Sequence, residues 1–498
     1  MSFIEDFVTH VDSDNEDALN IYNELSALYK ETLKIFPEEI NLLGVYFIDI
    51  LKFLTNTHFK LKEISIGFEP PDANVTGSLN KWPYLGYEDL KQAPINTKKS
   101  FGKSLVSKPN TLEVISNSLV NFGKSFFPVS LPSVSCLSFS VDSGNRILLS
   151  RKAKSSLLTL SSGWFSIPYL MDQLKIIDDV VSQVMVKQGH KLNVDVARHL
   201  IRSHISANTS DGIHAMEPFH DILFLKSGVE LQSRMLGSLA KRKGVPIINT
   251  LHGEGFGIYD EPIFSELGEQ LYSSALIGYG PGCAQHNSSY QYGMKKRCIY
   301  LESDGVQVKR FYQPEFKGVQ KNLRSISIYY YPTTLSGSSH RYGPYRDTSD
   351  YLYIKWQKCI TDLFGDELII KAHPKEKYST ACSFPTNQVI TGGFEELLSN
   401  VDVFVFDYIG TAFNIACATD KPVIYFDLGI RKISPVALEE IKHRTIYIDI
   451  KNGLPSKDDI LEQLDFKAQE NRFTKKYSLS TNGVTRLEAF ELGIQKLI

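Results

Sequence analysis

Short apolar runs, each ending at a polar or glycine residue, recur along the chain between residues 222 and 427. Segments with helical spacing of apolar residues separate several of them, as between Lys226 and Val245, where Gly244 ends the predicted helix. Strand, helix and strand form a βαβ unit, which implies a parallel sheet with right-handed crossovers. The predicted strands are Ile222–Lys226, Val245–Thr250, Ala275–Tyr279, Cys298–Leu301, Ser325–Tyr331, Glu367–Ala372, Val401–Phe406 and Pro422–Phe426.

This pattern predicts an α/β protein with two Rossmann-like, doubly wound domains that face a cleft. A polar joint near Lys309–Asn322 separates the two strand series, so we predict domains over residues 1–310 and 311–498. Residues 1–65 have the apolar spacing of helices, and residues 66–130 are interpreted as an irregular insertion. Strands near Ser135–Ser140 and Ile147–Ser150 and a helix over Ile167–Lys187 are predicted between the insertion and the first series.

Composition narrows the class of protein. The 498 residues include 54 Lys and Arg against 56 Asp and Glu, a balance that argues against a general nucleic-acid binder. An apolar share of 42 % supports large cores, while no window reaches the ~18 consecutive apolar residues of a membrane span. The six cysteines form no C-x-x-C pair, and acids stand where a secretory signal has basic residues. We therefore expect a cytoplasmic protein without a metal cluster.

A glycine-rich segment follows the Val245–Thr250 strand and contains His252, Glu254 and, further along, Asp260. Three glycines within five positions allow a close backbone approach to a ligand. A carboxylate beside an imidazole offers an acid/base pair. The alternative is a tight turn in which His252 and Glu254 only satisfy backbone groups.

Lys371 and His373 end another predicted strand, and Pro374 fixes the direction in which the chain leaves it. An imidazole and an ammonium at a strand end suit a phosphate leaving group. The alternative is a capped strand end with a solvated lysine.

The run Val403–Thr411 predicts a strand, a Gly410-Thr411 turn and a short helix. Backbone N–H groups at the start of that helix form an anion site. Asp407 and Tyr408 lie in the same turn; Asp407 either orients a neighbouring group in the cleft or caps the helix.

In the Gly/Ser-rich loop 332–349, Arg341 and Arg346 are candidates to clamp a phosphate or carboxylate, with a flexible surface loop as the alternative.

The order of these motifs resembles that of GT-B-type transferases of bacterial surface polysaccharides. It is most similar to the capsule and lipopolysaccharide enzymes that use CMP-activated ulosonic acids such as Kdo and sialic acid. The teichoic-acid glycerophosphotransferases have a similar series, but there Thr or Ser stands in place of Glu254. The resemblance covers roughly residues 220–445, and the first 200 residues carry none of it.

The resemblance implies a metal-independent glycosyltransferase without a cofactor, whose partners are a CMP-sugar donor and a glycan or lipid-linked glycan acceptor. No nucleic-acid partner is implied, and peripheral attachment at the inner membrane is one option. His373, Thr411 and Gly410, with Lys371, Arg341 and Arg346, would hold the donor phosphate; Glu254, His252 or Asp260 would act at the reacting centre. A polyol phosphotransferase using CDP-glycerol or CDP-ribitol, and a non-catalytic nucleotide-sugar-binding subunit, are the alternatives.

Overall fold

The structure is a computed structural model that describes part of the chain. The described residues are 3–67, 133–137, 154–157, 165–190, 194–210, 221–225, 228, 231–251, 257–260, 269–286, 298–319, 326–333, 350–372, 384, 388–390 and 392–498. The predicted insertion therefore lies almost entirely outside the described residues, as do the predicted strand Ile147–Ser150 and most of loop 332–349.

Two long helices confirm the helical prediction for residues 1–65. They are α1 (Phe3–Thr32) and α2 (Leu42–Ser65), and the Asn41 side chain caps α2 by accepting a hydrogen bond from Gly44 N–H at 3.3 Å. Ile21 and Leu25 are buried as the apolar spacing predicted, whereas Leu33 is exposed because it lies beyond the last turn of α1.

The first sheet is parallel and has six strands in the order β2-β1-β5-β6-β7-β8. In chain order the elements of this half are β1 (Ser133–Leu137), β2 (Lys154–Leu157), β3 (Phe165–Ser166), α3 (Leu170–Lys187), α4 (Val194–Asn208), β4 (Thr209–Ser210), β5 (Ile222–Leu225), α5 (Leu231–Arg242), β6 (Ile247–Thr250), β7 (Ala275–Gly278), α6 (Pro281–His286) and β8 (Ile299–Glu302). Strands β5, β6 and β7 are buried along their whole length, as expected for a sheet covered on both faces.

The second sheet is also parallel, in the order β12-β11-β10-β13-β14-β15. The elements of this half are α7 (Val306–Phe311), β9 (Glu315–Phe316), β10 (Ile328–Tyr331), α8 (Asp350–Phe364), β11 (Leu368–Lys371), β12 (Val389–Ile390), α9 (Phe394–Leu397), β13 (Val403–Phe406), α10 (Thr411–Ala418), β14 (Val423–Asp427), α11 (Pro435–Arg444), β15 (Ile446–Asp449), α12 (Lys457–Glu462), β16 (Gln469–Glu470), α13 (Arg472–Tyr477) and α14 (Arg486–Leu497). The chain is thus a mixed α/β protein with parallel sheets, compatible with a Rossmann-like fold.

The observed elements differ from the sequence analysis at three places. The polar joint near Lys309–Asn322 contains ordered elements, since α7 reaches Phe311 and β9 pairs with β16. The helix predicted from Ile167 begins at Leu170, because Pro168 and the left-handed Tyr169 (φ 58°) precede it. Strand β15 and the three helices after it were not predicted, because each is six residues or shorter or follows a polar stretch without a clear period.

Both ends of the chain pack against the sheet formed by the other half. Phe7 near the start of α1 joins the core of the second sheet, with its ring centroid 6.0 Å from that of Trp356. Phe490 on α14 joins the core of the first sheet, 5.4 Å from Phe224 between ring centroids. The domain boundary near residue 310 stays a prediction.

Candidate functional site

Segments that follow the carboxyl ends of both sheets meet at a short antiparallel junction. One side is residues 257–260, after β6 of the first sheet, and the other is residues 431–434, after β14 of the second. The junction contacts are Asp260 N–H to the Lys432 carbonyl oxygen at 2.8 Å, Ser434 N–H to the Ile258 carbonyl oxygen at 2.8 Å, and a bridge between Tyr259 and Ile433. Because parallel α/β sheets bind ligands beyond the carboxyl ends of their strands, a ligand here can reach both sheets.

Gly257 fixes the position of the junction. Its φ is +79°, and a Cβ atom at this residue would lie 2.6 Å from Cys283 Cα and 3.0 Å from the Gly282 carbonyl oxygen. Only glycine combines this dihedral angle with so close an approach. The sequence predicted that the glycines of this segment allow the backbone to approach a ligand, whereas at Gly257 the observed approach is to the start of α6.

Arg431 is the functional candidate that the motifs did not reveal. Its guanidinium carbon lies 4.6 Å from the ring centroid of Tyr408 and 5.3 Å from that of Tyr259, distances typical of cation–π contacts. The Tyr259 hydroxyl donates to the Ile409 carbonyl oxygen at 3.3 Å, and burial raises the pKa of Tyr259 well above its usual value. The Arg431 guanidinium is therefore held between the rings of Tyr259 and Tyr408. The only sequence signal was its place just after the Lys421–Asp427 strand.

Asp260 is the one predicted reacting group that the structure describes. Its carboxylate forms an ion pair with Lys432 at 2.8 Å, and 23 % of its side chain is exposed. The carboxylate thus stays accessible while its backbone is fixed to the second sheet. His252 and Glu254 lie outside the described residues.

Asp407 is fully buried after β13 and accepts four hydrogen bonds. The donors are Tyr330 Oη and Trp356 Nε1 (3.0 Å) to one carboxylate oxygen, and the N–H and hydroxyl of Thr333 (2.9 Å each) to the other. Burial raises the pKa of the Asp407 carboxyl, and these donors oppose that shift. The residue caps no helix, because the N-cap of α10 is Gly410. Its contacts instead fix the ends of β10 and β13 relative to α8.

The amino end of α10 lies in the same edge of the second sheet. Gly410 is extended (φ −152°) and provides no side-chain cap, so N–H groups of the first turn remain to bind a ligand or water. Thr411 is exposed, and the Tyr408 ring borders the turn, 2.7 Å from where a Gly410 Cβ atom would lie. The start of α10 thus lies beside the Tyr408 ring, which the Arg431 guanidinium contacts, and the anion site there stays a prediction.

Lys371 ends β11 as predicted, but its side chain is not solvated. It is buried, and its ammonium donates to the Ala372 carbonyl oxygen at 2.6 Å. Burial lowers the pKa of Lys371, and the nearby Glu396 carboxylate opposes the shift. His373, Arg341 and Arg346 lie outside the described residues.

The described part of the chain contains neither a metal cluster nor a membrane-spanning helix. Within it, no group of three or more His, Cys, Asp and Glu side chains is placed to hold a metal ion. Among the described helices, none has both the length and the apolar character needed to cross a bilayer.

Comparison with known proteins found no matching family model and no matching curated protein. Among solved structures, the chain is similar to one described as the glycotransferase of kitacinnamycin, with 12 % sequence identity and a TM-score of 0.30. The alignment covers 74 % of this chain and 100 % of that chain.

Proposed function

We propose that this chain is a glycosyltransferase that holds a nucleotide-sugar donor at the carboxyl edge of the second sheet and an acceptor against the first. The observation that carries the proposal is the junction of residues 257–260 with residues 431–434, which joins the carboxyl ends of both sheets. Transfer between two substrates needs both of them bound at one place with their reacting atoms aligned.

The donor phosphate would lie over the start of α10. Backbone N–H groups near Thr411 point out of the helix and carry a partial positive charge. Arg431 adds a full positive charge beside that turn, and it is positioned by the two tyrosine rings. Preorganised donors stabilise the charge that builds on a phosphate as it leaves the sugar, each by ~2.7–4 kcal/mol of barrier.

The reacting carboxylate would come from the first sheet. In the proposed reaction the acceptor oxygen forms a bond to the anomeric carbon, the bond from that carbon to the phosphate oxygen breaks, and a carboxylate takes the acceptor proton. Asp260 is accessible and fixed at the junction, and Glu254 is the competing candidate six residues earlier. With a retained configuration, the same carboxylate would attack the carbon first.

The identities of the donor, the acceptor and the cellular location are proposed from the motif resemblance alone. It names a CMP-activated ulosonic acid as donor, a surface glycan or lipid-linked glycan as acceptor, no metal, and a place at the cytoplasmic face of the inner membrane. The described junction favours transfer between two bound substrates, but it serves a phosphoryl acceptor as well as a glycosyl one. A CDP-polyol phosphotransferase is therefore the second candidate.

Donor consumption distinguishes these functions. The full chain is incubated with CMP-Kdo, CMP-sialic acid, CDP-glycerol and a UDP-sugar, with and without acceptor glycans, and the released nucleotide is quantified. Release of CMP from a CMP-sugar supports the proposal, and release of CMP from CDP-glycerol supports the phosphotransferase. Tight nucleotide binding without turnover of any donor would leave a non-catalytic binding subunit as the better description.

A further inference from the structure

A groove runs along the flank of the second sheet, beside its last strand β15. Its volume is about 840 Å³, within the ~300–1,000 Å³ of typical ligand sites. One wall is β15 with the last turn of α11, and the other is formed by Phe316 and by Gln463, Phe466 and Gln469 of the segment 463–469. The groove extends from Val423, the first residue of β14, to Asp449 at the carboxyl end of β15. None of its lining residues belongs to α10 or to the junction segments 257–260 and 431–434, so it is a different surface from the proposed transfer site.

Strand β15 gives this flank groove a row of backbone groups. It is the last strand of its sheet and pairs with β14 alone, so among the described residues no strand covers its outer edge. Exposed edge groups are ready to bind a polar ligand. With four residues, β15 is short for the addition of a further protein strand.

A buried guanidinium lines the same groove. Arg444 donates from Nε and Nη2 to carbonyl oxygens of residues 416, 417, 419 and 421, at 2.8–3.2 Å. Its Nη1 has no hydrogen-bond partner in the described part of the chain, and the residue is 1 % exposed. Its guanidinium carbon also lies 4.3 Å from the ring centroid of Phe316. Because the guanidinium is buried, it acts on a ligand in the groove through its positive charge and not through a direct hydrogen bond.

The other lining side chains include amides that can bind sugar hydroxyls and aromatic rings with flat apolar faces. Gln463, Gln469 and Asn452 are exposed amides, which both donate and accept and so match sugar hydroxyls. Tyr447 and Phe466 are half-buried rings, and the exposed Lys442 ammonium lies 5.1 Å from the Tyr447 ring centroid. Lys442 and Arg444 outnumber Asp449, the only acid in the lining, whose carboxylate already accepts from Lys451 N–H and the Asn452 amide.

We propose that the flank groove binds an oligosaccharide that carries carboxylates, at a site separate from the transfer site. The amides and rings recognise the sugar units, and the exposed Lys442 ammonium recognises a carboxylate, with the buried positive charge of Arg444 nearby. The proposal does not depend on glycosyl transfer, because binding in the groove needs neither donor nor turnover.

Calorimetric titration of the full chain with an oligogalacturonate tests this proposal directly. We expect binding, and we expect the Kd to rise about tenfold in the double variant Lys442→Ala/Gln469→Ala, as for loss of one charge-assisted hydrogen bond. Lys467→Ala is the matched control, because Lys467 is an exposed lysine in the same wall that does not line the groove. Circular dichroism and thermal midpoints of all variants should match those of the wild type.

Four outcomes would overturn the proposal. They are no binding of oligogalacturonate, equal weakening by Lys467→Ala, equally tight binding of neutral maltohexaose, and competition by polyglutamate at the same affinity. Equal weakening or polyglutamate competition would indicate a non-specific polyanion or acidic-peptide surface. None of these outcomes bears on whether the protein consumes a nucleotide donor.

Discussion

At the scale of single residues, the Asp407 carboxylate organises the second sheet by joining three elements. It accepts hydrogen bonds from Tyr330 on β10, from Thr333 just after β10 and from Trp356 on α8. The sequence identified Asp407 as a strand-end carboxylate, but its partners lie 51 to 77 residues away along the chain. Spacing along a sequence does not reveal such partners, so its anchoring contacts were not foreseen.

Replacement of Asp407 by Asn should destabilise the protein without changing the size of the side chain. An amide has one acceptor oxygen and two N–H donors, so at least one of the four present donors would face another donor. We expect the free energy of unfolding to fall by about 1–3 kcal/mol, measured by urea denaturation.

Asp420→Asn is the control for that measurement. Asp420 forms a half-exposed ion pair with Lys317 at 3.5 Å, and such a pair contributes ~0–1 kcal/mol. Equal effects of the two substitutions would contradict the anchoring role of Asp407.

His190 should make stability depend on pH. It lies 2.9 Å from His58 between ring nitrogens, and burial together with the nearby His58 lowers the pKa of His190 to about 4. The unfolded chain takes up this proton near pH 6.5 and so binds more protons between about pH 6.5 and 4. Stability from this group is therefore lost as the pH falls through that range, and no further below it.

Thermal midpoints of His190→Gln, measured from pH 7 to pH 4.5, check this prediction. The fall in Tm with decreasing pH should be smaller than in the wild type, while His199→Gln, at an exposed histidine, should leave the slope unchanged. An unchanged slope in His190→Gln would show that the protonation of this residue does not govern the acid response.

At the scale of elements, the segment after β6 depends on two features of Gly257: its positive φ angle and its close approach to the backbone of α6. Gly257 and Gly244 both have positive φ, at +79° and +69°, but a Cβ atom would meet the backbone of α6 only at Gly257. Gly244→Ala should therefore cost only the strain of a left-handed residue, roughly 1–2 kcal/mol.

Gly257→Ala should cost more than Gly244→Ala and should loosen the junction. Hydrogen exchange of peptides that contain residues 257–260 and 431–434 should increase in Gly257→Ala and stay unchanged in Gly244→Ala. Equal protection of the junction in both variants would show that the approach to Cys283 is not needed.

Long elements with a regular pattern were predictable from the sequence, and short ones were not. Helix α8 covers Asp350–Phe364 as predicted, because fifteen residues carry a clear 3.6 period. Helix α14 was missed although Thr485 and Glu488 form a capping box at its start, a signal that is readable in the sequence. Six-residue helices such as α12 and α13 are too short to show a period and depend on packing against the rest of the fold.

At the scale of the whole molecule, each end of the chain packs against the sheet of the opposite half. The start of α1 packs into the core of the second sheet, and α14 packs into that of the first. These contacts join residues far apart in sequence, and no local sequence pattern predicts them. The junction could not be predicted for the same reason, because Asp260 and Lys432 are 172 positions apart in the sequence.

Phe490→Ala should destabilise the first sheet, although the residue belongs to the last helix. The side chain is 1 % exposed and packs on Phe224, so its loss should cost ~3–5 kcal/mol. Hydrogen exchange should increase in β5 and β6 more than in β13 and β14. Leu492→Ala, at a residue that is 40 % exposed on the same helix, is the control. Loss of protection confined to the second sheet would contradict this packing.

The central claim is that a carboxylate from the first sheet acts on a donor held by the second. Steady-state turnover and donor Kd, measured side by side for Asp260→Asn and Glu254→Gln with whichever donor the wild type consumes, test it most directly. We predict that one of the two variants loses at least ~100-fold in kcat, as for removal of a general base. Its donor Kd should stay within about twofold, since the proposed phosphate contacts are the α10 start and Arg431, neither of which is changed. Near-wild-type kcat in both variants would contradict the claim.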